Sequence, residues 1–461
     1  MTERNLTEGA LAGHLRQMAV PAALGVVFTT LYNIVDTYYA GWISTDAQAG
    51  LTVSFSAFMM MMAVGMGLNM GAGALIGAAL GERNTEKARA LSAGAIGAAV
   101  ILALVLMMAG LLWGDGLLRL MQVGDEVFAT ASSYLFVMFF GLPAFMVGFT
   151  ANGVLTAQGD TETNKRAQMV ASIVNIGLNP LLIYGALGLP GLGFHGIAVS
   201  TILIQFGVAI WLVTKALKTK AMRGVSLDQF APDLALTSQL IRQSAPASLN
   251  MMVLMVGGLL IQSHLQPFGA ATVAGYGIAF RVEQLILLPI LAISIATMPM
   301  VAQNFGAGDY DRVRQSLTLA SSFALGLSLI GAVFLALGGE AMTRIFTDDP
   351  AAVASGAAYL QIAALMMPAY SLMFIINSYF QGVKRPVWSL AIGIYRQFFG
   401  IAFFPALFVA YTDWGLTAVW SGLFVAVWSG FAVAFALVFL ISRRAIGGMR
   451  LDFAGMRAAA T

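Results

Sequence analysis

The 461-residue chain is 59% hydrophobic and only 10% charged, with a net charge of +3 and no cysteine. About a quarter of the residues in a soluble domain are charged, so this composition excludes a water-soluble globule, and the small positive excess sits in loops rather than in a nucleic-acid-binding patch. Disulfides and thiolate metal sites are excluded, and His14, His195 and His264 show no metal-ligand spacing.

The polar start, Thr2 to Gly13, leads into a long segment interrupted by Tyr32, Asn33 and Asp36. That pattern is not a removable signal peptide, so the first helix is expected to stay in the membrane. A membrane helix needs about 20 apolar residues to cross about 30 Å of hydrocarbon. Twelve segments qualify in chain order: 15–40, 52–79, 91–112, 130–157, 166–187, 195–215, 237–264, 272–303, 316–338, 355–382, 387–411 and 416–441. Short turns join them, apart from a polar linker at 216–236 that carries Lys218, Lys220, Arg223, Asp228 and Asp233. The expected division is therefore a first lobe at 1–215, the linker, and a second lobe at 237–461.

The basic residues orient these spans. With the N-terminus inside, twenty of the 24 Lys and Arg fall in inner loops, tails and helix ends, among them Arg16, Arg83, Lys87, Arg89, Lys165 and Arg166. Arg119 and Arg344 fall outside, and Arg281 and Arg396 within spans. The positive-inside rule then places both termini in the cytoplasm of a bacterial-type inner membrane.

The halves match at an offset of 225 residues. Pro21 pairs with Pro246, Gly81 with Gly306, Arg89 with Arg314, Tyr134 with Tyr359, Pro143 with Pro368, Asn152 with Asn377 and Pro180 with Pro405. Six helices per half, an even number, give both halves one orientation, so the repeat is parallel. The expected fold class is an all-α integral membrane protein built as two six-helix bundles. Two such lobes suit transport by alternating access.

Among the 21 acidic residues only Asp36 and Glu283 fall well inside spans. An ionisable group in hydrocarbon is costly, so each is a candidate functional residue. Asn175 and Asn179 lie four apart on one face of the fifth helix, followed by Pro180, which frees a backbone carbonyl. The sixth helix adds Ser200 and Thr201. One carboxylate with amide, hydroxyl and carbonyl oxygens suits a hard cation such as Na⁺. A carboxyl group in apolar surroundings equally suits a proton. Glu283 shares a helix with Arg281, two residues away and on a different face, so it is expected to pair with Arg396 or with water. Met59 to Met62, Met251, Met252 and Met255 are read as packing residues or as the lining of an apolar cavity.

Several of these motifs resemble the multidrug and toxic compound extrusion (MATE) transporters. They are Tyr32-Asn33-Ile34-Val35-Asp36-Thr37, Asn175-x-x-x-Asn179-Pro180, Gly196-Ile-Ala-Val-Ser-Thr201, Gly275-Tyr-Gly-Ile-Ala-Phe-Arg-Val-Glu283 and Gln303-Asn-Phe-Gly-Ala-Gly308. The resemblance spans essentially the whole chain and is nearer the DinF-like than the NorM-like branch, because the acids of NorM-like helices 7 and 10 have no counterpart around Leu254. It implies a V-shaped pair of lobes exporting cationic or amphipathic organic compounds in exchange for H⁺ or Na⁺, with no other cofactor and no obligate protein partner. It further implies a coupling site at Asp36, Asn175, Asn179 and Thr201, with Tyr32 nearby, and Glu283, Arg281 and Arg396 as secondary candidates. Related sites often carry a second acid where Asn179 stands, and its loss favours H⁺ over Na⁺.

Competing classes lack their marks. A flippase for lipids or lipid-linked precursors needs a more cationic cavity than Arg281 and Arg396 supply. A membrane enzyme needs a nucleophile with a base, paired carboxylates or a metal cluster, and none of these patterns occurs. Nothing suggests the filter or arginine-rich gating helix of an ion channel.

Overall fold

The computed structural model describes residues 4–185, 188, 190–231 and 233–449, and among them every regular element is helical. The first half contains α1 (Leu11–Ile43), α2 (Thr45–Gly81), α3 (Thr85–Leu120), α4 (Asp125–Phe139), α5 (Leu142–Ala157), α6 (Glu162–Tyr184) and α7 (Phe194–Ala216). The second contains α8 (Leu234–Leu265), α9 (Ala270–Gly306), α10 (Tyr310–Arg344), α11 (Pro350–Gly382), α12 (Pro386–Ile394), α13 (Ile401–Tyr411) and α14 (Leu416–Ala445). Among the described residues eleven spans are long and apolar enough to cross a bilayer. The pair α4 and α5, bent by 54° just before Pro143, makes the twelfth. One π-helical turn, Tyr395–Gly400, joins α12 to α13 inside a single span. Every expected segment but the fifth lies within one observed span. The fifth ends at Tyr184, and residues 186 and 187 of its expected range lie outside the described residues.

Polar caps fix where the spans begin. The Ser44 hydroxyl accepts the amide of Ala47 at the start of α2, and Asn84 accepts that of Lys87 at the start of α3. Such caps satisfy amides that a helix start leaves unpaired. In the second half Asp309 accepts the amide of Arg312 at the start of α10. Asn84 and Asp309 are 225 apart, as are Lys87 and Arg312.

The backbone repeats just as closely. Arg83 (φ 55°) is matched by Gly308 (φ 74°), and Gly159 (φ 77°) by Lys384 (φ 57°), so two tight turns keep one left-handed residue in both halves. Glycine takes this conformation without strain, whereas Arg83 and Lys384 hold it against a steric cost. The amide bonds closing these turns recur as well: Asn84 N to Ala79 O and Asp309 N to Asn304 O are both 3.0 Å. The parallel repeat is thus a property of the backbone as well as of the sequence.

The helices form two compact units whose boundaries cut through two helices. One unit holds Pro21–Ser248, and the other holds Leu6–Val20 and the chain from Leu249 onward. Residues 6–20, expected with the first lobe, therefore group with the second unit, and residues 237–248, expected with the second lobe, group with the first. Small residues make the second assignment possible. Gly67 and Gly71 of α2 lie so close to Ser248 and Ser244 of α8 that a Cβ at either glycine would overlap them. Small-residue contacts of this kind let membrane helices meet backbone to backbone.

In the first unit α2 packs on α3, α4 and α5, and α7 packs on both α5 and α6. Its buried apolar residues include Ile76, Leu91, Leu155 and Leu212 in one cluster and Phe58, Leu135 and Phe139 in another. Met62 belongs to the latter, with Met59 and Met61 against it, so those methionines are packing residues. The second unit has one core, from Leu6 through Tyr359 and Trp420 to Val438.

Candidate functional site: a carboxylate between three helices of the first unit

Asp36 lies 25 residues into α1, or about 38 Å along it and about 10 Å from its C-terminal end. Tyr32 precedes it by one turn, on the same face. α6 runs alongside α1 in the same direction, joined to it by two polar contacts. The Ser172 hydroxyl donates to the carbonyl of Phe28 at 2.6 Å, and the Tyr39 hydroxyl to that of Ile176 at 3.1 Å. Ser172, Asn175, Ile176 and Asn179 follow the three- and four-residue spacing of one helix face, so the stripe that holds α1 also carries both amides.

Between these contacts the carboxylate is enclosed. Asp36 is 8% exposed, and Asn175 and Asn179 are fully buried. Its Oδ1 accepts the Asn175 Nδ2 at 2.9 Å and the Asn179 Nδ2 at 2.8 Å. Its Oδ2 accepts the Thr201 hydroxyl of α7 at 3.2 Å. The Ser200 hydroxyl donates to Asn179 Oδ1 and is also 2.9 Å from the carbonyl of Ile197. The Asn175 Oδ1 is buried without a hydrogen-bond partner among the described residues. The Tyr32 hydroxyl lies beside Asn175 and Thr201 and completes a hydrogen bond with neither.

The sequence places these five residues together, and the structure brings all five to one point. The amides face the other way from the expected cation cage, in which their oxygens point inward. Here both present N–H to Asp36, because a carboxylate accepts and cannot donate. Three donors and no ion pair surround the acid. Such a pocket stabilises the negative charge by hydrogen bonds and leaves one buried amide oxygen and one phenol as further oxygen atoms beside it. A cation entering would have to displace or turn at least one amide, whereas a proton would need only one oxygen.

Ser172 and Tyr39 escape a reading based on charge, whereas Ser200, expected as a hydroxyl of the site, meets Asn179 rather than Asp36. The signal for Tyr39 is Pro180: a proline has no N–H, so the carbonyl four residues earlier, Ile176, loses its helical donor. The freed acceptor is visible in the sequence, but the donor that finds it is not.

Glu283 and Arg396 are not an ion pair. Glu283 accepts the Tyr359 hydroxyl at 2.7 Å, and Arg396 stacks its guanidinium 5.1 Å over the ring of Tyr370. Stacking on an aromatic face suits a planar guanidinium in apolar surroundings. Arg281 is exposed on α9 with no partner among the described residues.

The MatE family model matches the chain twice, over residues 21–181 and 246–405, one match in each half of the repeat. The probable multidrug resistance protein YoeA of Bacillus subtilis strain 168 is 26% identical over 87% of this chain and 88% of its own. The FAD transporter of Shewanella oneidensis MR-1 is 24% identical over 83% and 84%. An outward-facing multidrug resistance MATE family transporter of the MOP superfamily shares the fold, with a TM-score of 0.88 at 23% identity, covering 97% of this chain and 98% of that one. The chain belongs to the MatE family and is a multi-pass membrane transporter, not an enzyme.

Proposed function

We propose that this transporter exports cationic or amphipathic organic compounds in exchange for protons, with Asp36 as the coupling residue. Asp36 of α1 is a buried acid with no cation beside it, held by three neutral donors, Asn175 and Asn179 of α6 and Thr201 of α7. Protonation removes the charge that orients Asn175, Asn179 and Thr201, so gain and loss of one proton bear directly on how α1, α6 and α7 are tied. Na⁺ would have to reorganise the same donors and would find one carboxylate in place of two, which makes it the less suited ion. The distribution of basic residues supports both termini in the cytoplasm of an inner membrane, with Asp36 in the outer half of α1. Alternating access then exposes the acid to each side in turn.

A second reading draws on the relative named as an FAD transporter. A phosphate-bearing cargo would find Arg281 and Arg396 in the second unit, and this reading also covers a lipid-linked cargo. Proteoliposomes loaded with ethidium or with FAD and given a pH or a Na⁺ gradient separate these readings. The proposal expects ethidium efflux driven by the pH gradient and unaltered by Na⁺. Efflux driven only by Na⁺, or transport of FAD without ethidium, contradicts it.

A further inference from the structure

The second unit buries an acid of its own. Glu283 of α9 is 2% exposed and receives one hydrogen bond, from Tyr359 of α11. A carboxylate accepts about four hydrogen bonds when ionised, so this one is poorly served. The packing explains the close fit around it. Gly275 of α9 lies against the backbone of Ala352 and Gly356 of α11, and this approach sets Tyr276 edge-on to Tyr359 with ring centroids 4.9 Å apart. Trp420 of α14 closes the cluster, 5.2 Å from Tyr359.

The charged and titratable groups facing Glu283 are few. α11 supplies Tyr359 and Tyr370, α9 itself supplies Tyr276 about two turns away, and the span of α12 and α13 supplies Arg396, whose charge reaches Glu283 from its seat on Tyr370. α10 has no titratable residue between Arg314 and Glu340, and α14 none between its start and Arg443. Among the described residues no Lys or Arg nitrogen comes within 4.0 Å of Glu283. An unpaired buried carboxylate with one donor is an unfavourable state, and a proton relieves it.

The repeat gives this arrangement a counterpart. Tyr359 is 225 residues from Tyr134, which is buried in the first unit close enough to feel the charge of Asp36. Each unit thus sets one membrane-embedded carboxyl group near the same repeat position. The acids themselves are not repeat partners: Asp36 stands on the first helix of its half, Glu283 on the second. Two unrelated positions have supplied an acid to equivalent tyrosines.

We propose that Glu283 is a second proton-carrying site, so that a transport cycle exchanges two protons, one at Asp36 and one at Glu283. The stoichiometry rests on the proton-coupled reading given above, while the titration of Glu283 does not. The full chain in lipid nanodiscs, labelled with ¹³C-glutamate, reports protonation of Glu283 through the carbonyl stretch of a buried carboxylic acid in infrared difference spectra. Among the described residues the other glutamates face water or lie at helix ends and give a hydrated band. A shifted band that changes with pH and is missing from Glu283→Gln is the expected result. In proteoliposomes with the membrane potential clamped at zero, one pH unit balances about a hundredfold ethidium gradient if two protons move and about a tenfold one if one moves. The native chain is expected at the first value and Glu283→Gln at the second. Tyr359→Phe keeps the ring packing and is expected to shift the band without abolishing it. Failure of the native chain to move ethidium on a pH gradient sinks the coupling reading, and the band then decides on Glu283 alone. A chain whose buried glutamate band does not titrate, or whose balance point is the same with and without Glu283, overturns the proposal.

Discussion

Tyr39 donates its hydroxyl hydrogen bond to the carbonyl oxygen of Ile176 at 3.1 Å, the oxygen that Pro180 deprives of its helical donor. The bond ties α1 to α6 one turn beyond Asp36. A neutral hydrogen bond of this kind contributes about 0.5–1.5 kcal/mol. Tyr39→Phe should therefore lower the unfolding temperature slightly. Pro180→Ala restores the missing N–H, so in that background Tyr39→Phe should cost measurably less. Thermal unfolding of the four chains in detergent gives the coupling, and strict additivity would show that the two residues do not share the carbonyl.

Asn179 holds Asp36 on one side and Ser200 on the other. Hydrogen bonds to a charged group are worth about 1.5–3 kcal/mol, so Asn179→Leu should slow efflux by about ten- to a hundredfold. Ser200→Ala leaves the Asn179 donor in place and should have a smaller effect. Initial rates of ethidium efflux rank the two, and a reversed ranking would mean that Ser200 acts on Asp36 by some other route.

Close approach of α2 to the start of α8 depends on two glycines. Gly71→Val puts a branched side chain against Ser244, and overpacking of this kind costs about 1–3 kcal/mol. Gly94→Val, at a position where a Cβ meets nothing within 4 Å, serves as the control. The unfolding temperature should fall in the first variant well below that of the second.

Leu6 is fully buried in the second unit, where Gln303 accepts its amide and both Asn304 and Arg312 donate to its carbonyl. Truncating a buried leucine costs about 2–5 kcal/mol. Leu6→Ala should loosen the N-terminal segment, read as faster proteolysis ahead of α1, while the helices further along stay protected.

Most of the architecture is legible in the sequence because a bilayer enforces it: spans need length and apolarity, and loops carry the basic charge. Pro21, Tyr134 and their partners give the repeat, and Asp36, Asn175 and Asn179 give the site, since buried polar residues are rare enough to stand out. What escapes is geometry. No pattern tells that the amides turn their nitrogens toward Asp36, or that Glu283 takes Tyr359 while Arg396 takes Tyr370. Nor does periodicity foretell that the unit boundary cuts α1 beside Pro21 and α8 close to Pro246, because a helix reads the same whichever neighbours it packs against.

The role of Asp36 is tested most directly by Asp36→Asn, which keeps the size of the side chain and removes its charge. In proteoliposomes with an imposed pH gradient, the variant should move ethidium no faster than protein-free vesicles do, while its unfolding temperature stays near that of the native chain. Native rates of pH-driven efflux from a folded Asp36→Asn protein would contradict the assignment of coupling to this residue.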